Sequence, residues 1–211
     1  MSDQTFELPP QPSPLRLVAT LGGIAVISGL LVVLTYQLTK PYIEENKRVA
    51  LERAVFSVLP GAVERRETEL PTGETVIAGL DAEGNRVGYA LPGEARGYQD
   101  VIRLLYGYDP VRQIVVGMTI LQSTETPGLG DKILRDPRFH ANFTALDVSR
   151  PVEVVKEGEK TESWQIDGIS GATVSSKAVG EAIQRGAALR KALHTLHPTD
   201  PTDPTDRGET P

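Results

Sequence analysis

Asp167-Gly168-Ile169-Ser170-Gly171-Ala172-Thr173 lies between a short alternating segment, residues 163–167, and a long helical pattern running from Ser175 to about Leu196. Two glycines and several small or hydroxylated residues therefore occupy a strand-to-helix turn. Such a turn aims free backbone N–H groups and the positive end of a helix dipole at one point, an arrangement suited to a phosphate. Thr173 adds a hydroxyl there, so a phosphate can be bound at this turn or joined covalently to the chain.

The rest of the chain limits what this turn can serve. The 211 residues suffice for one domain plus attachments. Net charge is −6, and no block of Lys and Arg forms a nucleic-acid footprint, so no nucleic-acid partner is expected. The absence of cysteine excludes disulfides, thiolate zinc sites and cysteine-held iron–sulfur clusters within the chain. Of three histidines, His194 and His197 lie three apart at the end of the last helical pattern. Two surface histidines beside a polar tail outweigh a metal site there, and no metal is expected.

Residues 17–38, LVATLGGIAVISGLLVVLTYQL, form 22 residues without a charge. At about 1.5 Å per residue they cover a hydrocarbon layer of about 30 Å. A cleaved signal peptide fits less well: Asp3 and Glu7 precede a single Arg16, and no small-residue cleavage site follows Leu38. A transmembrane anchor, in contact with lipid, is expected. Gly22, Gly23, Ala25, Ser28 and Gly29 suit close packing against partner helices, although glycine is common in such spans. The basic residues Lys40, Lys47, Arg48 and Arg53 follow the span while only Arg16 precedes it. Counted alone, they favour a cytoplasmic domain, but they mingle with Glu44, Glu45 and Glu52.

Residues 1–14 are polar and rich in proline, and disorder is expected there. Pro41 opens an amphipathic helix over 42–59, with Leu51, Val55, Val58 and Leu59 at helical spacing and Pro60-Gly61 ending it. Strands are expected at 75–80 and 86–91 around the turn 81–85, and at 101–106 and 113–120 around Asp109-Pro110. A loop over 121–131, a short helix at 137–146 and short strands at 152–156 and 163–167 follow. The last helix places Val179, Ile183, Gly186, Leu189 and Leu193 on one face. Three Pro-Thr-Asp repeats from Pro198 to Asp206 bury nothing and read as a flexible tail. The whole reads as a small α+β domain behind a membrane span.

Two ordinary readings compete at the first motif. Ser170 or Thr173 can act as a helix cap, worth about 1 kcal/mol. Gly168-Ile169-Ser170-Gly171-Ala172 also approaches the Gly-x-Ser-x-Gly elbow of hydrolases, but Ala172 replaces the last glycine. The base would have to be His140, His194 or His197. A second motif shifts the balance: Thr124-Glu125-Thr126-Pro127-Gly128-Leu129-Gly130-Asp131-Lys132. Its proline and glycines favour a tight backbone that can lie against a flat ligand.

With both motifs in this order behind one span, the chain resembles the G subunit of the Rnf ion-translocating electron transport complex. It is similar as well to the C subunit of the sodium-translocating NADH:quinone reductase. The resemblance covers about residues 17–196 and rests on Glu125-Thr126-Pro127-Gly128-Leu129-Gly130 and on Asp167, Ser170, Gly171, Ala172 and Thr173. It implies a domain of short antiparallel strands and flanking helices that binds FMN, attached through its phosphate to Thr173. It also implies a separate flavin transferase that reads Asp167, Ser170, Gly171 and Ala172 and uses FAD as donor. Ser170 then helps hold the phosphate, Lys177 helps neutralise it, and the 125–130 loop borders the flavin ring. Gly97-Tyr98-Gln99-Asp100 departs from the family's Gly-Tyr-rich stretch.

The resemblance further implies electron relay inside a membrane complex with other subunits and no acid–base catalytic residue. The implied organisation is a cytoplasmic segment 1–16, a span 17–39, a periplasmic domain 40–197 on the bacterial inner membrane, and a tail 198–211. A flavin subunit of another respiratory complex and an anchored scaffold subunit are the alternatives.

Overall fold

The computed structural model describes residues 13–70, 73 and 75–196. The expected disordered N-terminus (through residue 12), the Pro-Thr-Asp tail and His197 lie outside them. The chain divides into two compact units, residues 1–48 and 49–211.

The first unit contains most of α1, Pro14–Val58. Its apolar stretch has a mean hydropathy of 2.5 and is long enough to cross a membrane. The sequence pattern places a helix start at Pro41, but α1 passes through that residue unbroken. Proline removes one backbone hydrogen bond in a helix interior. Thr39 Oγ1 meanwhile donates to the Thr35 carbonyl at 2.8 Å, so polar side chains share the local backbone acceptors.

The second unit is built on a six-stranded antiparallel sheet in sequential order: β1 (Glu64–Glu69), β2 (Thr75–Leu80), β3 (Arg86–Arg96), β4 (Val101–Asp109), β5 (Ile114–Gln122) and β6 (Leu146–Asp147). β3 and β4 run longer than their apolar cores suggest, because their pairing extends from Tyr89–Tyr108 to Arg96–Val101. β1 reads Glu-Arg-Arg-Glu-Thr-Glu and has no apolar alternation to reveal it. It pairs along its whole length with β2 as a charged edge strand, a composition that discourages further pairing.

β4 is buried on both faces, so its pattern is nearly continuous. Ile102, Leu104 and Tyr106 join Val179 and Ile183 of α3 (Thr173–Arg185) in the main core. Leu105 joins Ala54, Val55, Val58 and Leu59 in a second cluster. That cluster needs glycine beneath it. A Cβ on Gly107 would overlap the Val58 carbonyl oxygen, and one on Gly117 would lie 2.7 Å from it. The end of α1 therefore packs directly on sheet backbone.

After β5 come a 3-10 turn Gly130–Leu134, the short α2 (Pro137–Ala141) and a second 3-10 turn Asn142–Thr144. Asp136 caps α2 by accepting from the Arg138 and Phe139 amides. β7 (Glu153–Val155) and β8 (Gln165–Asp167) form a separate pair, which is parallel. The final helical pattern is broken into α3 and α4 (Ala187–Leu196). The break falls at Gly186, where a Cβ would overlap the Tyr106 hydroxyl. Arg190 spans the gap, its Nη1 donating to the Ile183 carbonyl and to Tyr106 Oη.

Candidate functional site

β8 delivers the first motif and the N-terminus of α3 carries it away. The backbone of Asp167 is gripped from both sides by Asn142, whose Nδ2 donates to the Asp167 carbonyl at 3.1 Å and whose Oδ1 accepts from its amide at 3.0 Å. Gly168 N–H donates to the Val155 carbonyl, and Ile169 N–H donates to the buried Ser176 Oγ at 3.1 Å. Gly171 has φ of +81°, a conformation that favours glycine and turns the chain into the helix. Ala172 is the N-cap and supplies no capping side chain. The cap reading of Ser170 and Thr173 is thus not what the backbone uses. Among the described residues no side chain accepts from the first N–H groups of α3.

The second motif is locked to the first through Glu125. This carboxylate is only 6% exposed. It accepts from the Tyr98 amide at 3.2 Å, from the Gln99 amide at 3.0 Å and from Ser175 Oγ. Burial pushes its pKa up, but these hydrogen bonds outweigh burial and hold it below the usual glutamate range. Gly97 and Gly130 make room for it: a Cβ on either would approach a Glu125 oxygen to 2.5 or 2.6 Å.

The result is a cleft of about 500 Å³ between the 125–130 loop and the start of α3. Thr173, Gly171, Ala172, Val174 and Ser175 line one wall, and Tyr98, Glu125, Thr126, Leu129 and Gly130 line the other. Thr173 is exposed at the first position of α3. Tyr98, Leu129 and Val174 are 71%, 52% and 50% exposed, so half or more of each apolar side chain is open beside the uncapped helix end. A phosphate matches the free N–H groups, and a flat aromatic ring matches these apolar side chains. The residues present therefore fit FMN.

Several expected residues fall elsewhere. Asp167 lies outside the cleft, its Oδ1 accepting from the Gly158 amide at 2.6 Å. Lys177 is exposed on α3 and does not line the cleft, and Pro127 is exposed on the loop without lining it. Ser170 and Gly128 line a neighbouring cleft of about 650 Å³. There the Ser170 side chain and amide hold the Glu157 carboxyl below its usual range, against a smaller effect of burial, with further help from Arg138.

Lys132 closes the second motif, but the sequence assigns it no role. Its Nζ lies 3.5 Å from the Ser170 carbonyl, a cation beside the turn that α3 itself does not supply. Ser175 likewise receives no role from the sequence, and Tyr98 stands there only in the stretch that departs from the family pattern. A buried serine in a helix leaves no sequence signal distinct from any other polar position. Among the described residues neither cleft is lined by histidine, and His194 Nδ1 is engaged with the Pro110 carbonyl at 2.7 Å, so the elbow reading finds no base among them. Among the described residues no cluster of His, Asp and Glu is arranged to hold a metal.

Fold and site together define a ligand-binding α+β domain that follows an apolar helix of membrane-spanning length. Its second half, residues 97–188, matches the family model for an FMN-binding domain, and residues 13–58 match that for the RnfG N-terminal region. The chain is 30% identical over 178 residues to the G subunit of the ion-translocating oxidoreductase complex of Methanosarcina acetivorans, covering 80% of this chain and 89% of the relative. It is 30% identical over 188 residues to the G subunit of the same name from Pseudomonas aeruginosa, covering 82% and 86%. In fold it is similar to Shewanella oneidensis NqrC, with a TM-score of 0.53 at 18% identity over 67% of this chain and 73% of that one. The chain belongs to the family of G subunits of ion-translocating oxidoreductase complexes and carries that family's FMN-binding domain.

Proposed function

We propose that this chain relays electrons through FMN joined to Thr173, as a membrane-anchored subunit of an Rnf-type complex that couples a low-potential carrier such as ferredoxin to NAD and moves ions. One observation carries the reading: both motifs meet on a single cleft, with the Thr173 hydroxyl exposed at the uncapped start of α3. In maturation Thr173 Oγ1 forms a bond to phosphorus and loses its proton, while the phosphoanhydride bond of FAD breaks and AMP leaves. A separate flavin transferase catalyses this step. Bound flavin supplies one- and two-electron redox chemistry.

The chain's own residues have positioning roles. The N–H groups at the start of α3 and the ammonium of Lys132 balance phosphate charge. Tyr98, Leu129 and Val174 offer apolar surface to the ring, and Glu125 holds the two walls together. No residue need move a proton for electron relay, so the isolated subunit has no turnover of its own. By family resemblance the domain faces the periplasm, the span lies in lipid of the inner membrane, and the partners are the other subunits of the complex.

The test is the intact mass of the chain and of Thr173→Ala, each produced with the flavin transferase. An added mass matching FMN on the parent and lost in the variant is expected. No added mass on either overturns attachment at Thr173.

A further inference from the structure

On the other side of α3's end, away from Thr173, a cleft of about 370 Å³ opens between the 148–151 segment and α4. Its lining holds the cations Arg150, Arg190 and Lys191 together with His194, and no carboxylate. Arg190 is 3% exposed, yet it forms no ion pair among the described residues. Among the described residues, Nη1 is satisfied by the Ile183 carbonyl and Tyr106 Oη, Nε is buried without a partner, and Nη2 makes no hydrogen bond. The negative end of α3 offsets part of this charge. A partial dipole does not replace a counter-ion for a buried guanidinium.

Two more cations stand at the mouth. Arg150 lies over the Trp164 ring with its guanidinium carbon 4.4 Å from the centroid. A stacked guanidinium keeps its in-plane N–H groups available, and those of Arg150 make no hydrogen bond among the described residues. Lys191 is exposed on α4, and its ammonium is likewise unpaired among them. The flanking carboxylates are committed elsewhere: Asp109 pairs with Arg112 at 2.6 Å, and Asp147 accepts from Ser149, although it also feels the charge of Arg150.

We propose that this cleft is a binding site for an oxyanion, a phosphate or carboxylate group, seated against Arg190 and closed by Arg150 and Lys191. It is separate from the flavin cleft and does not depend on the flavin reading. The chemistry is that of charge-assisted hydrogen bonds, and the anion supplies the counter-charge that the chain lacks.

Trp164 is the chain's single tryptophan and reports on Arg150. The experiment titrates the full chain in detergent with potassium phosphate, against potassium chloride at matched ionic strength. Calorimetry and Trp164 emission are followed together. A saturable heat and emission change specific to phosphate is expected. Because Arg190 also closes the α3–α4 break, the test rests on the surface pair: Arg150→Ala with Lys191→Ala weakens calorimetric binding roughly tenfold or more. Arg66→Ala, on the exposed edge strand β1, leaves it unchanged. Succinate replaces phosphate in a parallel titration, and binding of one or both assigns the anion class. Absence of saturable binding to either anion overturns the site, as does binding undiminished in the double variant.

Discussion

Ser175 Oγ donates to the buried carboxylate of Glu125, a residue 50 positions earlier in the chain, and this bond joins the two sequence motifs into one cleft. Glu125 does not need to touch a ligand to matter. It is the common acceptor for the Tyr98 and Gln99 amides on one wall and for Ser175 on the other. Glu125→Ala removes all three bonds at once and leaves the buried Ser175 hydroxyl without its acceptor. The expected cost is about 2–4 kcal/mol of unfolding free energy, measured by chemical denaturation. Flavin incorporation falls with it, while Thr173 remains intact.

The same carboxylate makes the cleft acid-sensitive. Its pKa is lower in the folded chain than the ordinary glutamate value of about 4.3. A depressed folded pKa contributes stability above the unfolded pKa, and that contribution is lost as pH falls toward the folded one. Amide exchange at Tyr98 and Gln99 therefore accelerates as pH falls below the ordinary glutamate range, beyond the intrinsic pH dependence of exchange. In Glu125→Gln the added pH dependence disappears. Unchanged acid dependence in that variant would count against this role for Glu125.

Asn142 is a positioning residue for the first motif. Asn142→Ala frees the Asp167 amide and carbonyl together and is expected to cost about 2–3 kcal/mol. The informative readout is the flavin-bearing fraction by intact mass at a temperature where the variant is still folded. It drops if the β8 end sets the placement of residues 168–173. Asn142→Asp keeps the acceptor for the Asp167 amide but not the donor, and falls between.

Much of this was legible in the sequence. The paired strands β2–β5 were found because turns at 81–85 and 109–110 punctuate apolar runs. The two motifs stand out because a hydroxyl-bearing strand-to-helix turn and a tight Pro-Gly loop occur together, in this order, behind one span. What escaped has a physical reason in each case. β1 is an all-polar edge whose partner, not its own pattern, makes it a strand. The Gly186 break depends on the distant Tyr106 hydroxyl, so helical periodicity runs through it. Lys132 and Ser175 acquire their roles only when the loop and helix meet, and Lys177, chosen for its nearness to Thr173 in sequence, points to the limit of linear distance as a guide.

Gly107→Ala tests the packing of α1 on the sheet. The added methyl would overlap the Val58 carbonyl oxygen, and neither backbone can yield easily. A loss of about 2–3 kcal/mol is expected, with the thermal midpoint lowered accordingly. Gly84→Ala, which meets nothing within 4 Å but has φ of +83°, reports the cost of the backbone conformation alone.

That packing also sets an order of events during synthesis. Chains are made from the N-terminus, so Val55, Val58 and Leu59 leave the ribosome before any strand that will receive them. Their apolar face stays uncovered until Gly107 and Gly117 have been translated and β4 and β5 have paired. The last turns of α1 are thus the earliest-made part of the domain's interior and wait for partners made later, and a pause in translation within residues 60–117 would prolong that exposure.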